Sequence, residues 1–319
     1  MNHAVATEIE QRVRSSYSLG KTVKKIVKQK YLFLLMLPGL VYFILFKYGP
    51  MYGILLAFKD FNPIDGIAGS PWAGLKYFKP IFEQESVKHV VYNTLRISAL
   101  KIVIGFPFPI LFAIMLNEVT SSKLKRTVQT ISYLPHFLSW VVVSGIIFQL
   151  LSPSYGLYGY MFHLFGWQTQ VVLSQPGPFI AVLIGSDIWK EVGYGSIIFL
   201  AAIAGINAEL YEVAKIDGAG RFKQLLYITL PSLLPIISIM FILRLGSVLD
   251  AGFDQVLNLY NPLVYGVSDI IDTYVYRIGL EGFQFSFATA VGLCKGVVAL
   301  VLIVSTNWIV KKFTEQSIW

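Results

Sequence analysis

The sequence predicts an all-α integral membrane protein with six transmembrane helices. Three observations carry that expectation. Hydrophobic residues make up 55% of the 319 residues and charged residues only 14%, against about 25% charged in an ordinary soluble domain; mean hydropathy is +0.63. The apolar residues fall into runs that meet the length of about 20 residues a bilayer core demands. Lysine and arginine concentrate in alternate connections between those runs, as topology in a membrane requires.

The runs, in order, are Tyr31–Tyr48, Val91–Leu116, Val128–Leu151, Phe179–Ala204, Tyr227–Leu249 and Phe287–Val310. The stretch MYGILLAF extends the first toward Phe58. That run starts too late, is too long and lacks a small-residue cleavage site, so it is a span and not a cleaved signal peptide. The connection FNPIDGIAGSPW is rich in turn residues. The third run carries a break at Leu134–Pro135. Before the sixth, SDIIDTYVYRIG has the apolar spacing of a helix outside the membrane. No internal repeat and no soluble domain is visible. The expected organisation is a basic tail over residues 1–30, a membrane domain over 31–310 and a short tail over 311–319.

Placing the N-terminus inside puts fifteen Lys and Arg residues in inner segments and five in outer ones, with six inside spans. Both termini are therefore expected in the cytoplasm. The net charge of +8 is then a consequence of topology and basic tails beside anionic lipid, so no nucleic-acid partner is expected. The chain lacks the Gly-x4-Gly-Lys-Ser/Thr phosphate loop, so it does not hydrolyse ATP by that chemistry. Cys294, the only cysteine, lies in an apolar run where burial suppresses the thiolate. His3, His89 and His163 show no metal-ligand spacing, and no metal site is expected. Val192–Gly195 reads VGYG like the core of a potassium filter, but Glu191 precedes it and it lies inside a continuous span. An ion-driven transporter would ordinarily show two repeated halves. A membrane enzyme would need clustered cytoplasmic carboxylates, yet Glu118, Glu209, Glu212 and Asp217 mostly belong to one segment.

That segment, residues 207–227, lies between the fourth and fifth runs on the inner side. It contains YEVAKIDGAGRFKQLLYITLP. Asn207 can cap a first short helix with Glu209 and Glu212 in its early turns. Gly218 and Gly220 bend the chain, and RFKQLLYI leads into the next span. The expected shape is a helix-turn-helix knob on the cytoplasmic side. Its pattern of Glu212, Ala214, Gly218, Ile228, Leu230 and Pro231 resembles the EAA motif of bacterial ABC importer permeases, with Val213 standing where alanine is usual. The segments QTISYLPHFLSWVVVSG, SDIWKEVGYGSIIFLAAIAGI, RLGSVLDAGFDQVLNLYNPLVY and DTYVYRIGLEGFQFSFATAVGL extend the resemblance, to the oligosaccharide and polysaccharide (LplB-like) branch and more distantly to the larger maltose-importer membrane subunit.

The resemblance implies a type I importer permease fold in a bacterial plasma membrane. It implies a heterodimer with a second permease, two ATPase subunits below it, and an extracytoplasmic binding protein that delivers an oligosaccharide. ATP and Mg would bind the ATPase subunits, and this chain would hold no cofactor. Glu212, Val213, Ala214, Asp217, Gly218, Ala219 and Gly220 would form the coupling helix and its turn, with no catalytic residue.

Charged groups inside spans are costly and usually face a cavity. Asp187, Lys190, Glu191 and Tyr194 share one helical face, beside Trp189. They suit either an ion pair that holds helices together or a polar, aromatic surface for a sugar. By the count from the coupling glutamate, the resemblance puts Trp189, Asp187, Lys190, Glu191 and Tyr194 on sugar-contacting positions, with His136 and Trp140 in the third span and Ser247 and Ala251 in the fifth. The acid at 187 and the Lys–Glu pair depart from the maltose pattern. Lys190 or Arg244 could meet a sugar carboxylate, while Glu191 and Asp187 weigh against a simple anion site. His136 suits a hydrogen-bond partner better than a proton relay.

Overall fold

The computed structural model describes residues 29–314. Most of the expected basic tail, and residues 315–319 of the short C-terminal tail, lie outside the described residues. Regular structure among the described residues is helical, apart from one isolated bridge between Lys59 and Trp72. The chain divides into two compact units, Met1–Leu55 and Leu56–Trp319.

Helix α1, Lys30–Phe58, realises the extension of the first apolar run past Tyr48. Next come α2 (Glu85–Glu118), α3 (Ser122–Phe137), α4 (Trp140–Leu150), a short α5 (Leu157–Leu164), α6 (Pro176–Ala204), α7 (Ala208–Ile216) and α8 (Arg221–Gly246). Two short helices, α9 (Phe253–Leu259) and α10 (Ile271–Tyr276), precede the terminal α11 (Phe285–Thr314). Four of these, α1, α2, α8 and α11, are individually long and apolar enough to cross a membrane, and six crossings result if each of two bent pairs is one span.

The bends have local causes. Between α3 and α4 the axis turns by 105°. Pro135 tightens Leu134–Phe137 into a 3-10 turn, Leu138 and Ser139 are extended, and the Ser139 hydroxyl caps α4 by accepting from the Val142 N–H at 3.4 Å. Between α6 and α7 the axis turns by 68°, and Asn207 caps the new helix by accepting from the Glu209 N–H at 3.0 Å.

Four wide π turns occur among the described residues: Ile44–Tyr48, Lys101–Gly105, Leu225–Thr229 and, continuing α10, Arg277–Glu281. A proline follows each of the first three two residues later: Pro50, Pro107 and Pro231. A proline ring clashes with the carbonyl four residues back. Those residues are Phe46, Val103 and Tyr227, each inside its π turn. Widening the turn accommodates the ring without breaking the helix.

Within the second unit the core falls into three clusters. Ile97, Phe179, Leu183 and Ile184 pack with Val256, Leu259 and Ile270, joining α2 and α6 to the segment around α9. Val87 and Val90 meet Ile271, Tyr274 and Phe287. Ala113, Phe199, Ile203 and Leu233 join α2, α6 and α8. Lipid tails are as apolar as leucine, so close backbone approach matters more than burial in holding such helices. Gly193 supplies it: a Cβ there would lie 2.0 Å from the Ser132 carbonyl oxygen, so α6 crosses the end of α3 at a distance only glycine permits.

Candidate functional site

Helix α6 brings two polar clusters together. The first forms around the break between α3 and α4. His136 Nδ1 lies 2.8 Å from a Glu191 carboxylate oxygen, and its ring stacks on Tyr194 at 3.8 Å between centroids. The buried Lys190 ammonium donates to the His136 carbonyl at 2.6 Å, sits 3.6 Å from Glu191 and lies 5.6 Å from the centre of the Trp140 ring. The break leaves carbonyls without helical partners, and Lys190 satisfies one of them.

The second cluster lies between α2, α6 and α8. Asp187 pairs with Lys101 at 2.9 Å and faces the Arg244 guanidinium at 3.7 Å. Lys101 is 5% exposed and also donates to the Gln255 side-chain oxygen at 2.5 Å. The Gln255 amide, fully buried, donates in turn to the Leu183 carbonyl at 2.6 Å and to Ser186 at 2.9 Å. Gly252 takes a left-handed conformation (φ +91°) beside this group, and a Cβ there would stand 2.7 Å from the Lys101 ammonium. A cavity of about 350 Å³ opens here, lined by Lys101, Asp187, Glu191, Arg244 and Ser247, with Phe106 and Pro109 among its apolar walls.

Asp187, Glu191 and Ser247 thus line one cavity, and His136, Trp140, Lys190 and Tyr194 gather around Glu191. Trp189, 47% exposed, projects from another face of α6, and Ala251 is fully buried in the core; neither joins the cavity. Lys101 and Gln255 escaped the sequence reading. The signal for Lys101 was present, since a lysine inside an apolar span requires a partner. Gln255 carried none, because its role depends on how α9 folds back onto α6.

At the other end of α6, the 207–227 segment forms a capped helix, a turn and a second helix. Gly218 adopts φ +76° and ends α7, with the Ala219 N–H donating to the Ala214 carbonyl at 2.8 Å. The Gln224 amide donates to the Ala219 carbonyl at 2.8 Å, and Tyr211 bonds Thr229 at 2.9 Å, tying α7 to α8. Glu212, Val213, Asp217, Gly218 and Gly220 are exposed, and Ala214 and Ala219 are half-buried. Leu210, Val213, Ile216 and Phe222 leave an apolar surface open, from 49% to 86% exposed.

Outside the spans, burial pushes the Tyr260 phenol up to about 12. Arg277 lies 4.3 Å from the Tyr265 ring and pairs with Asp269. The Lys76 ammonium and the Tyr77 hydroxyl hold Asp60 below the usual carboxylate range. No group of three or more His, Cys, Asp or Glu with metal-binding geometry occurs among the described residues.

Residues 105–315 match the model of a family described as binding-protein-dependent transport system inner membrane component. The chain is 45% identical over 295 residues to the polygalacturonan/rhamnogalacturonan transport system permease protein YteP of Bacillus subtilis (strain 168), covering 92% of each. It is 42% identical over 292 residues to protein LplB of the same organism, again 92% of each. It superposes with a TM-score of 0.84 and 41% identity on a chain of a bacterial ABC transporter involved in import of the acidic polysaccharide alginate, covering 92% of this chain and 99% of that one. A chain of the alginate transporter in complex with its alginate pentasaccharide-bound periplasmic protein gives 0.83 and 40%, with the same coverage.

Proposed function

The chain belongs to the binding-protein-dependent transport system inner membrane components, and on that premise we propose that it carries acidic oligosaccharides inward across the membrane. It is a permease subunit of an ABC importer and has no ATPase site of its own. A solute-binding protein delivers the sugar from outside. The chain crosses the bilayer six times, with α3 plus α4 contributing one crossing and the 29 residues of α6 another; α7 lies beyond the bilayer on the cytoplasmic side, and both termini face the cytoplasm. A second permease completes a heterodimer. Two ATPase subunits, which hold the ATP and Mg, dock below it.

One observation supports the coupling side of this reading. Helix α7 stands 68° off α6 and exposes Val213 and Ile216, with Phe222 exposed at the start of α8, side chains left uncovered by the described residues. Glu212, Val213, Ala214, Asp217, Gly218, Ala219 and Gly220 seat in a groove of the ATPase, and the Tyr211–Thr229 bond passes its movement to α8. On the substrate side, the sugar enters the cavity beside Asp187, Glu191 and Ser247. His136, Trp140, Lys190 and Tyr194 form its polar, aromatic border, and Trp189 and Ala251 join only after the helices rearrange. The acidic polysaccharide alginate, imported by the transporter of known structure, supports this reading, since the cavity wall carries Lys101 and Arg244 beside Asp187 and Glu191.

The test is ATPase activity of the purified complex in nanodiscs, with its binding protein, across a panel of plant and algal oligosaccharides. Stimulation by one sugar class, lost in Glu212→Ala, is the expected outcome. No stimulation by any sugar would sink the reading.

A further inference from the structure

We infer that Arg244 is the specificity-determining residue for a carboxylated sugar, and that Lys101 makes it so by neutralising Asp187. The inference rests on the permease reading above and deepens it at the same cavity. In the sequence, Asp187 and Glu191 offset the cations Lys190 and Arg244 that the fourth and fifth spans supply. The packing of α2 changes that sum.

Asp187 receives its close ion pair from Lys101 at 2.9 Å. Lys101 is buried and its remaining contact is with Gln255 at 2.5 Å. Glu191 is engaged by Lys190 at 3.6 Å and by His136 at 2.8 Å. Asp187 therefore has a closer cation in Lys101, Glu191 has partners of its own, and Arg244 holds Asp187 only by the longer contact. Its guanidinium stands 3.7 Å from Asp187 and makes no side-chain hydrogen bond among the described residues. The side chain is 44% exposed and lines the cavity of about 350 Å³.

A guanidinium offers five N–H donors in a planar fork that matches a carboxylate with two parallel bonds. In a space bounded by Phe106 and Pro109, an unsatisfied fork of this kind favours an anionic, planar acceptor over a hydroxyl. A uronate carboxylate is such an acceptor. Asp187 stays on Lys101 while the sugar takes the fork, so one carboxylate enters without expelling a protein charge.

The test uses the complete importer, with partner permease, ATPase subunits and binding protein, in proteoliposomes. The probes are galacturonate and mannuronate pentamers and their carboxyl-reduced counterparts, which keep the chain and lose the charge. The wild type should transport at least one acid pentamer faster than its reduced form. Arg244→Gln should cut acid uptake by about ten- to a hundredfold, the scale of a charged hydrogen-bonded pair, and leave the reduced form little changed. Arg244→Lys keeps the charge without the fork and should fall between the two, which covers a failure of the glutamine variant to assemble. Lys101→Met should lower the acid preference although Arg244 is intact, since Asp187 then turns to Arg244. Equal loss of acid and reduced sugars in Arg244→Gln and Arg244→Lys, or an unaltered preference in Lys101→Met, would overturn the inference. Absence of uptake of every probe by the wild type would instead bring down the transport reading beneath it.

Discussion

Gly193 and Trp189 show how differently two neighbours on one helix can matter. A Cβ at Gly193 would meet the Ser132 carbonyl at 2.0 Å, a backbone atom that cannot swing aside. Gly193→Ala should therefore destabilise the bundle by about 1–3 kcal/mol, the usual cost of overpacking, visible as a lower melting temperature of the purified complex. Trp189, 47% exposed, fills no such gap. Trp189→Ala should leave assembly intact and weaken uptake; an unchanged rate would return Trp189 to the scaffold. The polar face of α6 was legible in the sequence because i, i+3, i+4 spacing is local. What each acid pairs with was not. Asp187 and Glu191 find Lys101 and His136, from 86 and 55 positions away, and only tertiary packing decides such partners.

At the level of elements, the apolar runs were legible as helices, and Leu134–Pro135 marked the break before α4. The size of the bend, 105°, was not readable, because it depends on how Ser139 restarts the helix. The π turns were also invisible until the helices were traced, although three of the four have a proline two residues beyond them. In α8 this gives the last residue of the EAA-like pattern a physical task. Pro231→Ala frees Leu225–Thr229 to rewind as an ordinary helix, turning α7 relative to α8 by about 100°, the arc of one residue. Insertion should survive and uptake should fall several-fold, measured in the same proteoliposomes. Gly218→Val, which forces a branched side chain to φ +76°, should likewise preserve insertion and separate ATP hydrolysis from transport. Normal uptake in both variants would show that α7 is not the linkage.

For the whole molecule, the distribution of Lys and Arg predicts an orientation that labelling can test. On a Cys294→Ala background, Ile64→Cys, at a site 93% exposed, should react with an impermeant maleimide in intact cells. Lys223→Cys should react only after the membrane is opened. The reverse pattern would invert the topology. The charge count was legible because it needs no contacts. The cavity was not, since its walls come from three helices far apart in the chain.

Gln255 finally sets a limit on engineering. Outer loops are ordinarily the exchangeable parts of a membrane protein, and transplanting them is a natural route to new cargo. Here the segment around α9 reaches into the bundle. Through one amide it grips the Leu183 carbonyl and Ser186 on α6 and the ammonium of Lys101 on α2, and Gly252 makes the room. A graft spanning residues 250–260 that lacks this glycine and glutamine would leave a buried lysine half-served at the heart of the bundle. Useful chimeras of this transporter must carry that crossbeam and its sockets together.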